Sequence, residues 1–362
     1  MSRIVFDARE LRTSSGRYVE RLLHYLQALD RENDYRVLLK PADMDWRPSS
    51  PNFHTVACPH KEFTFDEQFG LKEQIEGLKP DLVHFTFAQQ PIWYRGKVVT
   101  TFHDLTTMRF NNPDKNPLVF KLKQQVYKFV VKQAAKKSAV ILAPSQFVKN
   151  DVAEFTGVDP AKITVTYEAA DKIPDKPEPV IEVIDKSFIM YLGRPTPHKN
   201  LERLIQAFAV LNSNHPDLWL VLGGQTDANY RELEKLVQAN GIKNVVFTGL
   251  LSEGQLRWSY EHCAAYVFPS LSEGFGLPGL EAMLHGAPVV ASRATCLPEV
   301  YGDAARYFDP LSSQAMADAI NEVLTDKNLR IELIKKGAEQ VKKYSWERLA
   351  KQTLEVYQKA LL

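Results

Sequence analysis

Cysteine is scarce in this chain. Cys58, Cys263 and Cys296 are the three in 362 residues, far apart and without the spacing of metal ligands. That scarcity argues against a disulfide framework or a zinc cluster and points to a reducing cytoplasm. No apolar run approaches the roughly 18 residues of a membrane-spanning helix. The first residues, Met1-Ser2-Arg3-Ile4-Val5-Phe6-Asp7, read as a strand and lack the apolar centre of a signal peptide. An excess of charge is missing too. With 45 Lys and Arg against 44 Asp and Glu, the net charge of +1 gives no reason to expect nucleic acid as a partner. No Asp-x-Asp cluster is assigned to a metal-held diphosphate, so no metal and no cofactor are expected. What is present, 44% hydrophobic and 25% charged residues, is the composition of a soluble globular protein. The length calls for two domains.

Short β-rich apolar runs alternate with helical patterns from end to end. Strands are expected at residues 4–6, 35–39, 82–85, 98–102 and 140–143, with a helix over 16–29 carrying Val19, Leu22, Leu23 and Leu26. Three prolines among charges in residues 171–179 then read as a linker. After it the pattern restarts, with strands at 188–192, 219–222, 245–248, 265–268 and 288–291 and a helix beginning at Leu201. The fold class expected is α/β, two successive doubly wound parallel-sheet units. Ligands of such sheets bind beyond the carboxyl ends of the strands, and two facing units would form a cleft.

The densest motif is Glu273-Gly274-Phe275-Gly276-Leu277-Pro278-Gly279-Leu280-Glu281, two glutamates eight positions apart around a glycine-rich turn. Its glycines leave backbone amides open to a ligand, and a short helix from Leu280 to Gly286 would add a positive helix end. Each carboxylate can take a pair of hydroxyls; taken alone, both are equally read as ordinary helix and surface charges. Residues 193–200, Gly-Arg-Pro-Thr-Pro-His-Lys-Asn, lie between a strand and a helix. Arg194 and Lys199 there can hold a pyrophosphate and offset its charge as it leaves. His198 reads as a loop histidine. His103-Asp104 ends a strand of the first unit, where an imidazole can bond a hydroxyl or move a proton. Gly16, after Ser14-Ser15 and before Arg17-Tyr18, allows close approach of a phosphate at the first strand-to-helix turn.

Residues 115–150 hold eight lysines (115, 121, 123, 128, 132, 136, 137 and 149) and no acidic residue, interleaved with apolar side chains. Such a helix either lies on anionic lipid or packs on the first sheet with a solvated lysine face.

Together these pieces resemble a retaining glycosyltransferase of family 4 with the GT-B fold, and its mannosyltransferase-like group in particular. The resemblance also rests on Pro144-Ser145-Gln146-Phe147, Phe247-Thr248-Gly249, Pro269-Ser270 and Pro298-Glu299-Val300-Tyr301-Gly302-Asp303, and it covers nearly the whole chain. Relatives often have two glycines where Ser15-Gly16 stands here. The resemblance implies an acceptor-side domain over 1–172, a linker over 173–186, a donor domain over 187–345 and a last helix, about 346–362, crossing back to the first. It implies that Arg194 and Lys199 bind the diphosphate and Glu281 the ribose. Glu273, with the amides of Gly274, Phe275, Gly276 and Leu277, would hold the transferred sugar. His103 would contact that sugar near C6, Gly16 would face the diphosphate, and the base would lie near Gly249, Leu250 and Leu251. The partners implied are a nucleotide sugar, GDP-mannose before UDP-glucose or another UDP-hexose, and a glycan or lipid-linked acceptor. Front-face transfer with retention would need no strong base. A peripheral contact with the inner membrane face through residues 115–137 is a separate expectation. A sugar-nucleotide epimerase and an inert glycan-binding homologue are the alternatives from other classes.

Overall fold

The computed structural model describes residues 1–13, 16–110 and 117–362, with 117–122 as backbone only. Ser14, Ser15 and Lys115, and the side chains of Leu118, Val119, Phe120, Lys121 and Leu122, lie outside the described residues. The chain divides into two compact units, Met1–Glu168 with Ser345–Leu362, and Ala169–Tyr344.

The first unit is built on seven parallel strands: β1 (Arg3–Asp7), β2 (Asp34–Leu39), β3 (Phe53–Ala57), β4 (Leu82–Phe85), β5 (Val98–Thr101), β6 (Val140–Ala143) and β7 (Ile163–Val165). Their order is β3-β2-β1-β4-β5-β6-β7. Ile4, Val5, Phe6, Val98 and Val99 are fully buried, as expected of a parallel sheet covered on both faces. The strands absent from the sequence reading, β3 and β7, are the two edges. One alternates with the polar His54 and Thr55 and the other has three residues, so neither shows a continuous apolar run.

The helix Gly16–Leu29 buries Tyr18, Val19, Leu22, Leu23 and Leu26. Against it packs the last helix, Trp346–Leu361, which buries Trp346, Leu349, Val356 and Tyr357. The helix Pro117–Lys137 turns Val130, Val131, Ala134 and Ala135 into the core beside Phe102 and Ile141. Its exposed positions include Lys123, Lys132 and Lys136, while Lys137 points inward over the rings of Phe85 and Tyr94 at 5.4 and 5.8 Å. Among the described side chains of this basic helix, Val130, Val131, Ala134 and Ala135 are spent on its own unit, while Val126 and Phe129 are exposed.

The second unit has six parallel strands: β8 (Ser187–Leu192), β9 (Leu218–Gly223), β10 (Val245–Gly249), β11 (Ala265–Phe268), β12 (Val289–Ser292) and β13 (Ala305–Phe308). They run in the order β10-β9-β8-β11-β12-β13. β13, an edge strand with exposed Arg306, is the one the sequence pattern did not mark. Strand order reverses between β8 and β11, so the loops leaving those two strands part company and leave a crevice at their carboxyl ends. The proline-rich run expected as a linker is laid along this unit. Glu178 donates its N–H to the Gly254 carbonyl (3.0 Å), Arg257 reaches the Asp175 carbonyl (2.9 Å), and Val180 and Val183 are buried.

Candidate functional site

The loop after β8 is fixed by Asn200. Its backbone is left-handed (φ 62°), which asparagine tolerates better than most residues. Its side-chain amide donates to the carbonyls of Pro269 (3.1 Å) and Pro310 (2.8 Å), and Leu271 donates its N–H to the His198 carbonyl (2.7 Å). These bonds lay the loop after β8 beside the loop after β11. As a result Lys199 Nζ stands 2.6 Å from Glu273 Oε1 and 5.7 Å from the centre of the Phe268 ring. The pair is mostly enclosed, with the lysine and glutamate side chains 18% and 13% exposed. Glu273 is held by its own N–H, which donates to Thr295 Oγ1 (3.1 Å), and its carbonyl accepts from Cys296 (3.3 Å). Arg194 stands apart on the other side of β8. It is open to solvent and 3.8 Å from Asp227, whose carboxylate also caps the helix Ala228–Ala239. The two cations thus have separate anchors.

The turn between the glutamates corrects one expectation. Its helix is Leu277–Leu284, starting three residues before Leu280 with Pro278 in its first turn, where a missing N–H costs nothing. Gly276 and Gly279 also make room for Tyr301. The Tyr301 hydroxyl donates to the Gly276 carbonyl (2.5 Å), and a β-carbon would lie 2.6 Å from that oxygen at Gly276 and 2.2 Å at Gly279. Gly274 is buried, Leu277 half-buried, and the buried Phe275 ring meets Tyr344 edge-on at 5.4 Å. Glu281 is buried on the same helix, with the Tyr260 hydroxyl 3.5 Å from its Oε2. Its burial sets aside the reading of Glu281 as an ordinary solvated helix charge.

At the end of β10, Gly249 is left-handed (φ 67°) and both its backbone groups are engaged. Its N–H donates to Tyr230 (3.1 Å) and its carbonyl accepts from Gly224 (2.9 Å). Leu250 next to it is 77% exposed and offers an apolar face.

In the first unit, His103 leaves the end of β5 between two acceptors. Nε2 donates to the Thr86 carbonyl (2.9 Å) and Nδ1 lies 3.5 Å from Glu168. Burial works against the charged ring, but Glu168, Asp104 and the Thr86 carbonyl outweigh it and raise the pKa of His103. A substrate hydroxyl would have to displace one of these partners. Gly16 opens its helix, where a β-carbon would sit 2.1 Å from the Leu11 carbonyl oxygen. One Asp-x-Asp triplet, Asp43-Met44-Asp45, goes unweighed in the sequence reading. Arg12 lies 3.6 Å from Asp43 and 2.6 Å from Asp45, so the triplet is answered by an arginine.

Asn200, Thr295, Tyr301 and Glu168 are the residues that organise these loops without having been singled out. Asn200, adjoining Lys199, lay within a motif marked for chemistry, and Tyr301 within a run that carried the resemblance without a role of its own. Glu168 is brought to His103 by the sheet from far along the chain, which no local pattern reports.

Residues 15–172 match the family described as Glycosyltransferase Family 4, and residues 173–340 that described as Glycosyl transferases group 1. The O-antigen chain mannosyltransferase B of Escherichia coli is 30% identical over 277 residues, 72% of this chain and 70% of that protein. The serotype-specific mannosyltransferase WbdA of Escherichia coli is 31% identical over 238 residues, and the match spans 62% of this chain but 29% of that longer protein. Among solved structures, sucrose-phosphate synthase of Thermosynechococcus elongatus aligns with a TM-score of 0.80 at 20% identity over 99% of both chains. HepE of Anabaena, in complex with UDP and glucose, aligns with a TM-score of 0.76 at 18% identity over 99% of this chain and 100% of its own. At those identities the structures speak for a shared fold.

Proposed function

The chain belongs to glycosyltransferase family 4, in a group with mannosyltransferases of O-antigen chains, and from that premise we propose that it moves mannose from GDP-mannose onto a glycan or lipid-linked acceptor with retention. Membership makes it a glycosyltransferase of the GT-B fold. The donor, the acceptor and the stereochemistry are the proposed part.

The observation that carries this reading is the Lys199–Glu273 pair at the point where strand order reverses in the second unit. Before donor arrives, the cation is bonded to the carboxylate. A diphosphate offers Lys199 a doubly ionised partner and leaves Glu273 to accept hydrogen bonds from sugar hydroxyls. Arg194 adds the second cation and Glu281 takes the ribose. As the acceptor oxygen bonds to the sugar's C1, the bond from C1 to the phosphate oxygen breaks. The acceptor's proton passes to that departing oxygen on the same face. Lys199 and Arg194 offset the charge developing there, and no metal is invoked.

The test is calorimetry of the full chain with GDP, UDP and ADP, followed by turnover with the matching sugar nucleotides. GDP is expected to bind tightest. Binding of UDP with no response to GDP would replace the mannose donor by a UDP-hexose. Lys199→Ala should lower transfer by roughly 100-fold or more; unchanged turnover refutes the assigned role. New sugar nucleotide appearing without acceptor would favour an epimerase.

A further inference from the structure

Among the described residues, the non-glycines with left-handed backbones are Phe63, Lys79, Asn200, Asn244 and Thr295. Of these only Thr295 (φ 49°) is β-branched, and a branched side chain crowds its own main chain in that region. Glycine takes the same shape at no steric cost, and asparagine tolerates it. A turn that needed the shape alone would be better served by either. Thr295 lies on the loop between β12 and the helix Leu297–Tyr301, at the carboxyl edge of the second sheet. Asn200 adjoins Lys199, so two of the strained residues stand on the loops that hold the Lys199–Glu273 pair. Strain of this kind persists where the surrounding structure fixes it, and it gathers at functional sites.

What the threonine supplies is an oxygen. Its Oγ1 accepts the N–H of Glu273 (3.1 Å), and the next residue, the wholly buried Cys296, donates its thiol to the Glu273 carbonyl (3.3 Å). Both main-chain groups of Glu273 are thus held by one dipeptide. From the helix that follows, the Tyr301 hydroxyl donates to the Gly276 carbonyl (2.5 Å). Residues 295–301 therefore grip the first half of the glycine-rich turn at Glu273 and at Gly276. The Glu273 carboxylate leaves that grip toward Lys199, 2.6 Å away. Without the oxygen, a half-buried N–H loses its acceptor, and residue 273 can turn about its own main chain.

We infer that Thr295 is a positioning residue of the transfer, whose hydroxyl fixes the main chain of Glu273 and through it the aim of the carboxylate at the sugar. The inference rests on the reading that gives the transferred sugar to Glu273. In that reading the diphosphate is held by Lys199 and Arg194, so the hydroxyl governs kcat and leaves nucleotide affinity alone. A displacement on the order of 1 Å at a group that orients the reacting sugar is enough to slow transfer 100-fold. A threonine serving stability alone would act differently: its loss would lower stability, affinity and turnover together.

The experiment compares Thr295→Val, Thr295→Gly and Thr295→Ser with the parent, each as the full chain. Valine keeps the branched shape without the oxygen, glycine relaxes the backbone without the oxygen, and serine keeps the oxygen. Calorimetry gives the affinities for GDP and UDP, and thermal unfolding gives stability. Release of nucleoside diphosphate from GDP-mannose or UDP-glucose, to methyl α-mannoside or to water, gives kcat and KM. The valine and glycine variants should lose roughly 10- to 100-fold in kcat. Their nucleoside diphosphate affinity should be no weaker than the parent's, and KM should stay within about threefold. Serine should bring kcat back to within about threefold of the parent. The glycine variant should unfold at a higher temperature than the valine variant and yet be as slow, so that rate follows the oxygen and not stability. Should valine prevent folding, glycine and serine still decide. Parent-like kcat without the oxygen overturns the inference, as does a serine variant as slow as glycine or an affinity that falls in step with kcat. A parent that releases nucleotide from neither sugar nucleotide overturns the donor reading, and this inference with it.

Discussion

The Lys199–Glu273 bond of 2.6 Å joins two groups that take different partners in the proposed transfer. A mostly enclosed pair of this kind gains from proximity and loses from dehydration, so its net contribution is small and an incoming diphosphate can take over one partner. If a diphosphate must take Lys199 from Glu273, then Glu273→Gln should strengthen binding of the bare nucleoside diphosphate. An increase of roughly tenfold, ~1.4 kcal/mol, is expected in calorimetry, together with loss of transfer. Equal affinity in the two proteins would mean that the carboxylate does not compete for the lysine. A carboxylate serving the sugar alone would leave diphosphate affinity where it was, so the variant separates the two roles.

At the scale of elements, the helix Leu277–Leu284 is placed by one tyrosine. A β-carbon at Gly279 would stand 2.2 Å from the Tyr301 hydroxyl and 2.3 Å from its ring carbon, and Tyr301 is fully buried with nowhere to retreat. Gly279→Ala should therefore destabilise the second unit by about 1–3 kcal/mol through overpacking and shift the glutamate at each end of the turn. Thermal unfolding should show the loss; a variant as stable as the parent would remove Tyr301 as the reason for the glycine. The same turn shows what a sequence does and does not disclose. Its charges, glycines and place after β11 are all visible in the letters. What the glycines make room for is not, because Tyr301 comes from a later helix. Strands with unbroken apolar runs and helices with apolar stripes were legible, the edge strand β10 with its Val245-Val246-Phe247 run among them; the edge strands β3, β7 and β13, without such a run, were not. The Lys199 loop was legible as a cationic turn, but its bond to Glu273 depends on Asn200 tying two distant loops together.

Across the whole chain, the first unit is completed by the last helix. Tyr357 places its hydroxyl 2.5 Å from His84 Nδ1 on β4, and His84 Nε2 lies 2.9 Å from Thr101, which also meets Tyr18 (2.8 Å). Burial, with the charge of His103 behind it, lowers the His84 pKa to about 3. A histidine whose folded pKa is depressed stabilises fully above its unfolded value of about 6.5. That stability is lost as pH falls toward about 3, at about 1.4 kcal/mol per pH unit. Between those limits acid should loosen the first unit. In His84→Gln the decline should be shallower by that slope, read by denaturant unfolding at stepped pH; parallel slopes would rule out His84 as the titrating group. The last helix has a further consequence for synthesis. Ser345–Leu362 leave the ribosome only after all of Ala169–Tyr344 has been made. At about 5–20 residues per second, β1 to β7 must wait on the order of ten seconds for their closing helix. The unit that is begun first is finished last, and until then it is a natural client for a chaperone.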